Sequence, residues 1–353
     1  VRPDHHDMLN SLMEGVEDIP EVVMKDGLPW NWSSFPDYLD SLEDNRYDVD
    51  VATQVPHAAL RVFVMGKRGA NREDATADDR AEMARIAAEG MRAGAFGFST
   101  SRLLQHRTAE GEPIPSYGAA QEELLEIADA LADVGRGWIQ TVGDFEDAID
   151  AEFDLRRQLA ERSGLPLTMT LLQKEARPDE WRDLLGRIEE ANAEGLKITA
   201  QIRGRPTSVL LGFELSINPF SACPSWSEVK DLDFDIRLNR LRDPALRARL
   251  TSEPCGDIIR QRRFQKWDRI FLFGDPPQYE PHPETSIGRQ AERAGVAPAE
   301  LAYDMMLENG GRTILYRPTT NYTNGDLAVV HEMLDHPNTL IGLGDGGAHV
   351  GVM

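Results

Sequence analysis

Leu167-Thr168-Met169-Thr170-Leu171-Leu172 is followed by an amphipathic run over 181–193, a glycine at Gly195, and then Lys197-Ile198-Thr199-Ala200-Gln201-Ile202. A short apolar strand, a helix stopped by glycine and a second short apolar strand read as one βαβ unit, because parallel strands need a helical crossover. The same rhythm runs in both directions. Strand-like runs lie at 51–55, 95–99 and 138–142 before this unit, and at 269–273, 314–316 and 339–343 after it. They lack clean two-residue alternation, which predicts a parallel sheet covered on both faces. Thr76 and Asp79 have capping-box spacing ahead of Met83, Ile86, Ala87 and Met91. Leu124, Ile127, Ala128, Leu131 and Val134 repeat the helical spacing up to Gly135, and 153–163 does so up to Gly164. A further short helix is expected at 8–15.

Repeats of about 25–35 residues fit a closed eight-stranded barrel or an open doubly wound sheet. No Gly-rich phosphate-binding motif is present, which disfavours nucleotide binding. Segment 213–265 breaks the rhythm with Pro219, Pro224 and Pro254 and reads as an insertion with its own helices. The chain's 353 residues allow two domains, or one barrel plus an insertion. With 38 Lys+Arg against 60 Asp+Glu the formal charge is −22, so a nucleic-acid or anionic-membrane surface is not expected. Cys223 and Cys255 are too few for a disulfide framework, and no apolar run reaches membrane-spanning length. These features predict a cytoplasmic protein.

Working groups in such barrels stand on the loops after the strands. After the run at 51–55 comes Pro56-His57, and the run at 95–99 ends in Ser99-Thr100-Ser101-Arg102. Arg203-Gly204-Arg205 follows 197–202, and the last strand-like run ends in Gly342-Leu343-Gly344-Asp345-Gly346-Gly347-Ala348-His349. Asp345, between glycines that permit close backbone approach, fits a general base or a metal-facing carboxylate. The alternative is a tight turn with Asp345 capping a helix. His349 is placed to orient substrate or donate a proton. His57 and Ser99 are candidate substrate-binding residues, His57 with the alternative of a satisfied histidine under a loop. Arg203 and Arg205 suit a substrate carboxylate, or surface ion pairs. No Gly-x-Ser-x-Gly elbow occurs, which disfavours an acyl-enzyme.

Arg92-Ala93-Gly94-Ala95-Phe96-Gly97-Phe98-Ser99-Thr100-Ser101 resembles the Ala-Gly-Ala-x-Gly-x-Ser-Thr stretch of the N-acyl-D-amino-acid deacylases, or D-aminoacylases, of the amidohydrolase superfamily. Val55-Pro56-His57-Ala58-Ala59-Leu60-Arg61 is similar to their Gly-His-Gly-x-x-Arg region. The segment 341–349 resembles their last barrel strand, and the segment 13–20 also fits. The resemblance implies a (β/α)₈ TIM-type barrel in which a zinc-activated water attacks the amide of a small N-acyl amino acid. Asp345 inherits the roles of base and metal ligand.

The family's first strand carries His-x-His and its second a cysteine, and neither is present. The first two strands are therefore expected to be missing. The remaining barrel units are expected in 1–212, an inserted lid in 213–330, and the last strand with the Asp loop in 331–353. The family's metal-binding histidines should end the strands at 138–142 and 167–172. Those positions read Gln140-Thr141-Val142-Gly143 and Thr170-Leu171-Leu172-Gln173. Valine and leucine cannot ligate zinc. The competing expectation is a non-catalytic barrel that binds a carboxylated or acylated small molecule.

Overall fold

The computed structural model describes residues 2–17, 19–108, 110–144, 148–256, 264–342 and 344. Nine strands are found among them: β1 (Gln54–Pro56), β2 (Gly97–Arg102), β3 (Trp138–Gly143), β4 (Leu167–Leu171), β5 (Ile198–Ile202), β6 (Ser208–Leu211), β7 (Phe271–Leu272), β8 (Leu315–Pro318) and β9 (Thr339–Ile341). The chain divides into two compact units. One contains the described residues of 2–171, 179–202 and 334–342, the other those of 172–178, 203–333 and 344.

The first unit is an α/β layer. Its sheet has the order β1-β2-β3-β4-β5-β9 with every neighbouring pair parallel. Helices Ala77–Ala93, Gln121–Ala132, Ile149–Ser163 and Glu180–Ala193 carry the connections from β1 to β5. The capping box forms as read: the Thr76 side chain accepts from the Asp79 backbone N–H, and the Asp79 side chain accepts from the Thr76 N–H. Met83, Ala87 and Met91 are fully buried along that helix. Gly90 lets it close on the sheet, since a Cβ there would sit 2.7 Å from Val55 Cγ2. Gly164 ends the next-but-one helix at φ 64°.

The strands do alternate, which corrects the expectation that they would not. In β4, Leu167, Met169 and Leu171 are buried against the helices while Thr168 and Thr170 point the other way. β5 repeats this with Ile198, Ala200 and Ile202 against Thr199 and Gln201. The pattern is blurred in the sequence because polar residues also occupy the helix-facing side. Thr100 and Thr141 lie there, hydrogen-bonded to His57 and Arg156.

The second unit holds an antiparallel sheet of order β6-β8-β7. The runs at 269–273 and 314–316 had been read into the parallel rhythm; they are β7 and β8 and belong here instead. Helices Ile287–Ala294 and Pro298–Gly311 lie between them and imitate βαβ spacing in the sequence. The four-residue strand β6 was not recognised. Segment 213–265 contributes helices Phe234–Leu241 and Pro244–Ser252 to a core centred on Phe213, Phe220, Trp226 and Tyr303. Cys223 and Cys255 form a disulfide with Cα atoms 4.0 Å apart, a single bridge rather than a framework. The chain passes from the first unit to the second between Ile202 and Arg203. Among the described residues no helix is long and apolar enough to cross a membrane.

Candidate functional site

His57 follows β1 directly and opens the helix His57–Met65. Its Nδ1 lies 2.8 Å from Thr100 Oγ1 and its Nε2 lies 2.6 Å from Glu123 Oε1. Arg61, one turn further along, donates through Nη1 to both Glu123 oxygens at 2.7 and 2.5 Å, and through Nη2 to the Glu73 carbonyl at 2.7 Å. All of His57, Arg61, Thr100 and Glu123 are buried. Burial pushes the His57 imidazole below its ordinary pKa, against the pull of Glu123. Burial also works to raise Glu123, but its bonds to His57 and the Arg61 charge hold the carboxyl below its usual range.

His57 was expected either to bind substrate or to be a satisfied histidine under a loop, and in this arrangement Thr100 and Glu123 engage its ring. Both ring nitrogens are committed inside the layer between sheet and helices. Thr100 and Ser99 are successive strand residues and project to opposite faces, so His57 works on the face away from Ser99. The satisfied-histidine alternative describes the geometry.

Ser99 faces away from the helices and is the register partner of Gln140. On that same face the side chains of alternate strands join. Gln54 Nε2 on β1 donates to Gln140 Oε1 on β3 at 2.8 Å. Gln140 Nε2 donates to Gln201 Oε1 on β5 at 3.2 Å, and Gln201 Nε2 to Thr168 Oγ1 on β4 at 3.1 Å. Long carboxamides on β1, β3 and β5 meet over short residues on β2 and β4. Gly97 is the register partner of both Gln54 and Trp138, and a Cβ there would lie 2.3 Å from the Trp138 carbonyl oxygen. The sequence reading missed this layer. Its signal was present: each glutamine sits in a strand and none in an adjacent one.

The predicted arginines lie in the second unit. The Arg205 guanidinium stands 5.9 Å from the centre of the Tyr279 ring. The Arg203 carbonyl accepts from Asn321 Nδ2 at 3.3 Å. Asn321, fully buried at φ 58°, also accepts through Oδ1 from the Gln173 N–H at 2.8 Å. Its own N–H donates to the Gln173 carbonyl at 2.9 Å. Glu175 then meets Lys266 at 2.6 Å, Arg317 at 3.0 Å and Arg269 at 3.9 Å, one carboxylate facing three cations. Burial opposes its ionisation, yet Lys266 and Arg317 hold its pKa below the usual value. A cavity of about 250 Å³ in this unit is lined by Asp268, Arg269, Phe271 and Arg289 and involves neither predicted arginine.

Asp345 and His349 lie outside the described residues. The rest of the donor set does not fit zinc. Zinc takes thiolate, imidazole or carboxylate ligands, whereas β3 ends in Val142-Gly143 and β4 is followed by Leu172-Gln173. The Gln173 side chain accepts from the Thr323 N–H at 3.1 Å. Among the described residues no three His, Cys, Asp or Glu side chains are grouped to hold a metal ion.

No family model matches the chain. In sequence it is similar to a D-aminoacylase of Alcaligenes xylosoxydans xylosoxydans, 26% identical over 306 residues that cover 80% of this chain and 60% of the relative. An N-acyl-D-glutamate deacylase of the same organism is 29% identical over 174 residues, covering 48% of this chain and 33% of the relative. An uncharacterized protein of Mycobacterium tuberculosis is 23% identical over 373 aligned positions, covering 96% of this chain and 57% of the relative. The chain thus spans less than two thirds of the curated relatives it matches. A solved structure of N-acyl-D-glutamate deacylase from Bordetella bronchiseptica, complexed with zinc and a phosphonate inhibitor, aligns with TM-score 0.48 at 19% identity over 88% of this chain and 51% of the other. The resemblance read in the sequence is thus to the family that the names of these relatives give.

Proposed function

We propose that the chain is part of an amidohydrolase that removes the acyl group from a small N-acylated D-amino acid. The observation that carries this reading is the similarity to the D-aminoacylase over 80% of the chain. Six parallel strands in sequential order support a (β/α)₈ barrel with two further strands outside this sequence and an inserted segment at 213–330.

In this reading a water attacks the amide carbonyl. Asp345 takes the water's proton and delivers it to the departing amine, leaving a carboxylic acid and a free amino acid. His349 orients the substrate, Ser99 offers a hydroxyl from the polar sheet face, and Arg203 and Arg205 hold the carboxylate. Any zinc would rest on Asp345 and on donors beyond the described residues.

The test is hydrolysis by the full-length protein of a panel of N-acetyl-D-amino acids, including N-acetyl-D-glutamate, with and without Asp345→Asn. A loss on the order of 10²-fold or more is expected for a general base. Full activity of Asp345→Asn would overturn the assignment.

A second reading, binding of a carboxylated or acylated small molecule without turnover, is favoured by the absence of zinc donors at the described ends of β3 and β4. Saturable binding of N-acetyl-D-glutamate by metal-free protein that hydrolyses none of the panel would support it. Zinc near one per chain would count against it.

A further inference from the structure

Ser101 is the last residue but one of β2, a strand paired on both sides, with β1 and with β3. It alternates with Thr100 and so stands on the face turned away from the helices, at the carboxyl end where barrel strands carry their working groups. Its Oγ lies 2.7 Å from His106 Nδ1. The Leu103 N–H donates to the same Oγ at 3.4 Å, which leaves the hydroxyl proton for the imidazole. Nδ1 is then the acceptor, the role in which an imidazole can take that proton.

Both partners are held in place. Ser116 Oγ donates to the Ser101 carbonyl at 2.8 Å, and Arg102 ties the strand end to Glu152 and to the Ala119 carbonyl. The His106 N–H bonds to the Leu103 carbonyl at 3.1 Å, and its carbonyl accepts from the Ile114 N–H at 3.3 Å. Val142, the register partner of Ser101 on β3, sets an apolar side chain beside it on the same face. Ser101 and His106 are both half-buried, within reach of a small reagent. A hydroxyl at hydrogen-bond distance from an imidazole is the arrangement that activates serine as a nucleophile, and geometry rather than an elbow motif identifies it.

We propose that Ser101 and His106 form a nucleophile–base pair that takes the acyl group of a small carboxylic ester with a good leaving group, such as an aryl ester. Ser101 Oγ bonds to the acyl carbon as its proton passes to His106 Nδ1. The bond from that carbon to the leaving oxygen breaks, and the aryloxide departs with the electron pair and recovers the proton from His106. Water then adds to the acyl-serine and gives a proton to His106. The bond between Oγ and the acyl carbon breaks, Oγ regains the proton, and the carboxylic acid is released. An aryloxide makes the smallest demand on the site, because it leaves without prior protonation. Neither Asp345 nor zinc takes part, so this chemistry stands or falls apart from the deacylase reading.

The experiment mixes the chelator-treated full chain with p-nitrophenyl acetate. A burst of about one equivalent of p-nitrophenol per chain is expected, with the acetyl group mapped by mass to Ser101. Ser101→Ala should lose the burst, and Ser101→Cys should take up acetyl at the same position. In His106→Gln the carboxamide oxygen can still accept the hydroxyl, so Tm should hold while the burst slows on the order of 10²-fold or more, the share of a general base. A merely structural bond would not produce that split. Acetyl found only on lysines, or a burst equally fast in His106→Gln, would overturn the proposal. A chain that hydrolyses the N-acetyl-D-amino acids yet takes no acetyl on Ser101 would overturn it and leave the deacylase reading standing. One that takes acetyl on Ser101 and hydrolyses none of them supports it while removing that reading.

Discussion

His57 Nε2 and Glu123 Oε1 lie 2.6 Å apart with both side chains sealed from solvent. The pair joins the helix that follows β1 to the helix Gln121–Ala132. Thr100 on the other ring nitrogen ties β2 into the same cluster. Arg61 supplies a permanent positive charge, so Glu123 is held ionised while burial keeps His57 neutral.

That assignment fixes the sign of a pH dependence. The folded-state pKa of His57 lies below its ordinary 6.5, so below that pH the unfolded chain binds more protons than the folded one. Stability is then lost as pH falls through the region of 6.5 and below. Glu123 adds to the loss at lower pH, because its folded pKa lies below the ordinary 4.5. Tm measured from about pH 8 down to about pH 5 should fall with acidification. His57→Gln should flatten the upper part of that slope; an unchanged slope would refute the assignment.

Removing Glu123 should be severe. Glu123→Ala leaves the Arg61 guanidinium buried without its counter-ion, a defect worth about 3–5 kcal/mol. Urea unfolding at neutral pH reads this directly. A loss below about 1 kcal/mol would mean that water reaches Arg61 and that the cluster is not the closed unit described.

The cluster also shows how much of the molecule could be read in the chain. The parallel α/β layer was legible because amphipathic helices, a capping box and glycine stops recur at βαβ spacing. The antiparallel sheet was not. β7 and β8 are short and apolar with helices between them, so periodicity alone places them with the parallel strands. At the candidate site, the motif around His57 was visible, but its meaning needed the partner. Glu123 sits 66 residues away and reads in isolation as a solvent-facing residue of a first helical turn. The carboxamide layer was hidden because Gln54, Gln140 and Gln201 meet only when register brings alternate strands into line. Asp345 and His349 rest on the sequence pattern and on the deacylase similarity.

The bridge between Cys223 and Cys255 spans a separation of 32 residues within the second unit. A loop of that length should lower the entropy of the unfolded chain enough to stabilise by about 3–4 kcal/mol. Intact mass under non-reducing conditions should be two hydrogens below the reduced value. Reduction, or Cys223→Ser, should lower Tm by several degrees. A fully reduced native protein with the same Tm would show that the two thiols merely pack together.

Asn321 holds a left-handed backbone conformation at φ 58° while its side chain binds the Gln173 N–H and the Arg203 carbonyl. The two roles separate by substitution. Asn321→Gly keeps access to positive φ but loses both side-chain bonds, including one to a buried backbone N–H, which costs about 1–3 kcal/mol. Asn321→Ala loses the same bonds and adds the steric cost of a Cβ in the left-handed region, about 1–2 kcal/mol more. Alanine should therefore be the more destabilising of the two in chemical unfolding, although glycine ordinarily costs more through its unfolded-state entropy. If glycine proves worse, the backbone at 321 is not held at positive φ. The segments at 173 and 203, which carry Glu175 and the two predicted arginines, would then need another anchor.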